Sequence, residues 1–138
     1  MEPTAHHFAV TVSNLDRAVA FYRDTLGLDV LSEFAVGGEA FATGVGVDGA
    51  SAEFAHMDAG NARVELVEYD PKGETVTETG LNQPGATHLG LEVDDLDAVY
   101  DDLPDDVETI AEPQTTESGT RICFLRDPDG TLIELLEL

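Results

Sequence analysis

The sequence predicts an α+β fold made of two tandem βαβββ modules, and three observations predict it. One pattern occurs twice: residues 7–16 read H-F-A-V-T-V-S-N-L-D, and residues 88–97 read H-L-G-L-E-V-D-D-L-D. A second pattern also occurs twice, V-E-L-V-E at 64–68 and I-E-L-L-E at 133–137. Between these echoes, segments of strand period and helix period succeed one another in the same order in both halves.

The elements follow in chain order. Phe8, Val10 and Val12 alternate with His7, Ala9 and Thr11, the period of a half-buried strand. Ser13 or Asn14 is placed to cap a helix with Asp16 in its first turn. Leu15, Ala18, Val19, Tyr22 and Leu26 give that helix an apolar stripe, and Gly27 ends it. Residues 28–36 read as a strand. The glycine-rich stretch 37–50 is ambiguous, with 40–45 as a short helix or lid. Residues 52–57 and 62–69 read as a hairpin across Asp58-Ala59-Gly60-Asn61.

The second half repeats the order. Residues 87–93 read as a strand, and Asp94 or Asp95 caps a helix carrying Leu96, Val99, Tyr100 and Leu103, which Pro104 stops. Strands are expected at 107–112, 120–125 and 131–138, the last two joined by the turn Asp127-Pro128-Asp129-Gly130. The span from histidine to glutamate is about a dozen residues longer in the first half, an excess assigned to 37–50. Residues 1–138 are thus expected to form one domain, with module one at 4–70 and module two at 85–138.

Composition narrows the class. A chain of 138 residues with 42% hydrophobic content can bury a core. No apolar run approaches the roughly 18–20 residues of a membrane helix. The N-terminal M-E-P-T-A-H-H has neither the basic segment nor the apolar stretch of an export signal, so a cytoplasmic location is expected. The single cysteine, Cys123, agrees with a reducing compartment, and its setting R-I-C-F-L reads as inert strand packing. Asp and Glu number 29 against 6 Lys and Arg, a formal net charge of −23, with Lys72 the only lysine. Self-repulsion of that size disfavours compactness unless salt screens it, the balance expected of a protein from a salt-accumulating halophile. Nucleic acid and anionic membranes are excluded as partners on the same grounds.

Strand parity sorts the polar residues. With Phe8, Val10, Val12, Val64 and Leu66 packed under the helix, His7, Ala9, Thr11, Arg63, Glu65, Val67 and Tyr69 take the opposite face. In the second half Leu89, Leu91, Val93, Ile133 and Leu135 pack, while His88, Gly90, Glu92, Leu132, Glu134 and Leu136 face away. His7, Glu65, His88 and Glu134 therefore all leave the helix side of their strands. Two imidazoles and two carboxylates related by an internal repeat are a donor set suited to a divalent transition metal. One such histidine would more often be a plain strand residue; two at equivalent places, each with a matched glutamate, favour ligands. Glu68 and Glu137 fall on the other parity and are expected at the solvent edge. His6 is expected to be exposed or to neighbour the site, His56 to be a plain strand histidine in preference to a cavity residue, and Arg126 and Asp127 to fix their turn.

These segments, H-F-A-V-T-V-S-N-L-D-R-A-V-A-F-Y-R-D-T-L-G-L (7–28), R-V-E-L-V-E-Y (63–69), H-L-G-L-E-V-D-D-L-D-A-V-Y (88–100) and F-L-R-D-P-D-G-T-L-I-E-L (124–135), resemble the vicinal oxygen chelate superfamily, also called the glyoxalase/bleomycin-resistance/extradiol-dioxygenase superfamily. The resemblance implies a cupped mixed sheet with helices outside, holding a divalent metal through His7, Glu65, His88 and Glu134. The full His/Glu/His/Glu set is similar to that of glyoxalase I. It implies a lyase or isomerase acting on the hemithioacetal of a 2-oxoaldehyde and a thiol, with enediolate charge held by Zn, Ni, Co or Mn. Glu134 is then the first choice of catalytic base and Glu65 the second. Dioxygenases and fosfomycin-resistance enzymes use the triad matching His7, His88 and Glu134, so Glu65 tilts the choice away from them. The sequence lacks tryptophan, and with it an aromatic segment of glyoxalase I; it has R-D-P-D-G where methylmalonyl-CoA epimerases tend to carry a histidine-proline segment.

The alternatives implied by the same resemblance are a methylmalonyl-CoA-epimerase-like isomerase, an extradiol-type dioxygenase using Fe(II), and a metal-free small-molecule-binding resistance protein. A homodimer is expected from the resemblance and from the need to cover an open sheet face exposing Val67 and Leu136.

Overall fold

The computed structural model describes residues 1–76 and 80–138. The chain divides into two compact units, Met1–Val76 and Thr77–Leu138, and each holds one four-stranded mixed sheet.

The first unit runs β1 (His7–Thr11), α1 (Leu15–Ala20), β2 (Val30–Val36), α2 (Glu39–Val45), β3 (Ser51–Asp58) and β4 (Arg63–Asp70). Its sheet order is β1-β4-β3-β2, with β1 parallel to β4 and the other pairs antiparallel. Asn14 is the cap of α1: its side chain accepts from the Arg17 N–H at 3.0 Å. The helix widens into a π-helical turn at Phe21–Thr25, where the Leu26 N–H reaches the Phe21 carbonyl at 3.2 Å. Gly27, at φ 74°, then lets the Leu28 N–H return to the Tyr22 carbonyl at 3.0 Å, closing the helix as its sequence predicts.

α1 packs on β3 and β4. The expected stripe forms, with Leu15, Ala18, Val19 and Tyr22 buried on one side and Ala55, Met57, Val64 and Leu66 on the other. Each large side chain removed from water here contributes about 1.5–3 kcal/mol. The opposite face of the sheet carries a second cluster, Ala52, Phe54 and Val67, with Val36, Phe41 and Tyr69 against it. Residues 37–50 account for this. They form α2, whose Phe41 stacks on Tyr69 and meets Phe54 edge-on. Val67, expected to be exposed, is therefore 2% exposed, and it gives no reason for a partner to cover that face.

The second unit runs β5 (Leu89–Glu92), α3 (Leu96–Asp101), β6 (Gln114–Thr115), β7 (Arg121–Arg126) and β8 (Leu132–Glu137), in sheet order β5-β8-β7-β6 with β5 parallel to β8. Asp95 caps α3, accepting from the Ala98 N–H at 3.0 Å. Leu96, Leu125, Ile133 and Leu135 are its buried centre. Asp127 closes the turn before β8, accepting from the Asp129 and Thr131 N–H groups at 2.9 Å.

The strand expected at 107–112 does not form. That segment touches β7 through one bridge, Thr109 with Leu125, and through bonds linking Ile110 to Phe124 and Glu108 to Arg126, and the regular pairing moves to Gln114–Thr115. Ile110 is 54% exposed, so no inward apolar row holds a continuous ladder there, and Pro113 has no N–H to extend it. Among the described residues no helix is long and apolar enough to cross a membrane.

Candidate functional site

Each unit pairs its histidine with its glutamate. In the first, β1 and β4 lie side by side with His7 in register with Arg63 and Ala9 with Glu65, which sets Glu65 just past His7 on the face away from α1. His7 Nε2 stands 3.7 Å from Glu65 Oε1. In the second, Gly90 pairs with Glu134 and His88 stands just before β5, giving His88 Nε2 to Glu134 Oε1 at 3.5 Å. A Cβ at Gly90 would meet Glu134 Oε1 at 3.8 Å and Leu136 Cδ2 at 3.9 Å, ordinary contacts, so the Glu134 carboxylate lies directly beside the Gly90 backbone.

The histidines are about one-third exposed and the glutamates more covered, so each pair sets a part-exposed imidazole beside a sheltered carboxylate. Two donors on one ion, each about 2.1 Å from it, stand about 3.0–3.4 Å apart for octahedral to tetrahedral angles. Separations of 3.5 and 3.7 Å between nitrogen and oxygen are close to that, and the donor types suit a divalent transition metal. Among the described residues no group of three or more His, Cys, Asp and Glu side chains is assembled as a metal site.

The neighbourhood of the first pair holds more than its sequence suggests. His6 Nδ1 lies 2.8 Å from His7 Nδ1, so the ring of His7 is steadied on its far nitrogen while Nε2 faces Glu65. His56, expected to be a plain strand histidine, is 6% exposed and bonds Glu65 Oε2 through Nε2 at 2.7 Å. Phe34 sits edge-on to its ring at 5.1 Å. Beyond His56 the same face is aromatic, with Phe34 stacked on Phe54 and Phe41 on Tyr69. In the second unit the place facing Glu134 is Phe124, whose ring lies edge-on to His88 at 5.1 Å.

Other candidates settle into structural roles. Glu68 is not at a solvent edge: its Oε1 accepts from the Leu15 N–H at 2.6 Å, the first amide of α1. Glu137 faces Arg121 Nε at 3.8 Å. Arg126 donates to the Gly130 carbonyl at 2.9 Å and belongs to the Asp127 turn, as expected. Burial pushes the Cys123 thiol above its ordinary range, which disfavours the thiolate, and its Sγ points to the Ala111 carbonyl, in keeping with inert packing.

Comparison with known proteins agrees with this fold. The family model described as Glyoxalase/Bleomycin resistance protein/Dioxygenase superfamily matches residues 4–135. A mitochondrial methylmalonyl-CoA epimerase of Mus musculus is 33% identical, the match covering 94% of this chain and 70% of the relative. A protein of Synechocystis named probable lactoylglutathione lyase is 30% identical over 95% of this chain and 92% of its own length. A crystal structure of a glyoxalase family protein from Bacillus cereus superposes with a TM-score of 0.87 at 26% identity, covering 99% of this chain and 95% of that one.

Proposed function

This chain belongs to the Glyoxalase/Bleomycin resistance protein/Dioxygenase superfamily, and from that premise we propose that it is a metal-dependent enzyme moving a proton at carbon beside a carbonyl, with His7, Glu65, His88 and Glu134 as the ligands. The observation that carries the reading is the repeated pair: each unit sets an imidazole Nε2 against a carboxylate oxygen at coordination-like separation. A divalent ion held there would supply Lewis-acid stabilisation of the charge that develops on the substrate oxygen.

The two glutamates are not equivalent. Glu65 has Oε2 engaged by His56, whereas Glu134 faces Phe124, which has no hydrogen to donate. The less restrained carboxylate is the better one to move a proton, so Glu134 is the base and Glu65 the anchor. On the hemithioacetal of a 2-oxoaldehyde, Glu134 takes the proton from the sulfur-bearing carbon and returns it to the adjacent carbonyl carbon. A hydroxyl proton passes between the neighbouring oxygens, and the product is a 2-hydroxy thioester. Atoms and electrons balance with no external oxidant. The aromatic face of Phe34, Phe54, Phe41 and Tyr69 would take the apolar part of the substrate.

The second reading, an epimerase of a 2-methylmalonyl-type thioester, uses the same residues on a related proton and is favoured by the 33% identity to the mouse epimerase. The test follows both protons by NMR in D2O, with methylglyoxal plus a thiol and with methylmalonyl-CoA, on protein loaded separately with Zn, Ni, Co and Mn. Conversion to the 2-hydroxy thioester or exchange at the methylmalonyl carbon, lost in Glu134→Gln and in His88→Ala, is expected. Neither conversion nor exchange, together with oxygen uptake on a catechol in the Fe(II) form, would replace this reading by a dioxygenase. A cytoplasmic homodimer completes the proposal.

A further inference from the structure

Of the polar and charged residues among those described, only His56 and Asp127 are buried. Asp127 is explained by its turn. A buried imidazole needs a comparable reason, because an unpaired polar group away from water is costly. His56 has partners on both nitrogens: Arg63 Nη1 lies 3.4 Å from Nδ1, and Glu65 Oε2 lies 2.7 Å from Nε2. A guanidinium can only donate, so Nδ1 presents its lone pair to Arg63 and the ring hydrogen sits on Nε2, aimed at Glu65. Neither nitrogen is offered to a metal. Glu65 is thereby left with Oε2 bonded and Oε1 turned to His7 Nε2.

The internal repeat supplies a control within the same chain. His56 stands opposite Glu65 in the β3–β4 register, and Phe124 stands opposite Glu134 in the β7–β8 register. Both carry an edge-on aromatic contact, Phe34 to His56 and His88 to Phe124, so packing alone is satisfied by an aromatic ring at this place. What the first unit adds is the hydrogen bond. We propose that His56, its tautomer set by Arg63, is a positioning residue that locks the Glu65 carboxylate so that Oε1 alone is presented beside His7. The proposal rests on the reading of Glu65 as a metal ligand, and it assigns the fixed and the movable carboxylate to different modules.

Metal-free protein tests the clamp itself. Histidine-selective 15N–1H NMR should show one downfield Nε2–H in slow exchange with water, retained in His7→Ala and lost in Glu65→Ala. Absence of that signal from the wild-type protein overturns the proposal whatever the metal does. Zinc alone, measured by chelator competition, tests the consequence. His56→Ala should bind about 10–100-fold more weakly, the range for losing a group that orients a ligand. His56→Gln, which keeps an N–H at similar reach, should recover most of the loss, and Phe124→Leu should change little. Wild-type affinity in His56→Ala, or no rescue by glutamine, overturns the proposal. A wild-type protein that shows the protected Nε2–H but holds no zinc upholds the lock on Glu65 and overturns the reading of Glu65 as a ligand.

Discussion

Replacing Glu68 with alanine should destabilise the protein by about 2 kcal/mol, and the reason is worked from one contact. The first amides of a helix have no partner within it. In α1, Asn14 takes the Arg17 N–H, and Glu68 reaches from β4 to take the Leu15 N–H at 2.6 Å. A hydrogen bond to a charged group contributes about 1.5–3 kcal/mol, and a carboxylate at a helix N-terminus gains a further fraction from the dipole. Glu68→Gln keeps an acceptor oxygen without charge and should lose roughly half as much. The measurement is urea unfolding at about 2 M NaCl, where the Debye length is near 2 Å. At low salt, removing one of 29 acidic side chains would relieve repulsion and mask the loss. With about 3–5 °C of Tm per kcal/mol for a chain of this size, a companion thermal scan should fall by about 6–10 °C. A loss below about 0.5 kcal/mol for alanine, or equal losses for alanine and glutamine, would refute a charge-assisted cap.

Three further outcomes are expected. Melting temperature and activity should rise together between about 0.1 M and 2 M salt, as the screening length drops from about 10 Å toward 2 Å against a formal charge of −23; a flat or falling curve would give the acidic surface another purpose. Cys123, raised by burial, should react with a thiol reagent at pH 8 only at the rate of unfolding. Because its folded value lies above the ordinary 9.0, the stability it lends is whole below that pH and is lost as pH climbs through the folded value, so urea midpoints of wild type and Cys123→Ala should converge in alkaline solution. Light scattering at 2 M salt should give a dimer mass; a monomer would remove that part of the proposed function.

The fold was legible because the chain carries its own replicate. The strand and helix periods around His7 and His88 agree with each other, so an error in one half would show as a mismatch with the other. Parity alone put His7, Glu65, His88 and Glu134 on the faces where they are found. Three readings failed for want of a partner that parity cannot name, the first being Val67, which α2 covers. Glu68 has the parity of the helix side, but a solvent edge and a helix cap are the same position until the end of α1 is placed above β4. The segment 107–112 has strand-like residues, yet nothing local shows that Ile110 lacks a core to enter.

His56 is the instructive case, because its signal was present. The hairpin loop Asp58-Ala59-Gly60-Asn61 sets Asp58 opposite Arg63, and counting back from that pair places His56 opposite Glu65 on the face already assigned to the site. The same count from the Asp127 turn places Phe124 opposite Glu134. Cross-strand neighbours lie about 4.5–5.5 Å apart at Cβ, within reach of a side-chain hydrogen bond. A histidine opposite one glutamate and a phenylalanine opposite its counterpart already make the two carboxylates unequal. Repeat symmetry picks out the candidate pairs His7–Glu65 and His88–Glu134; the residue opposite each glutamate, His56 or Phe124, then decides whether its carboxylate receives a cross-strand hydrogen bond.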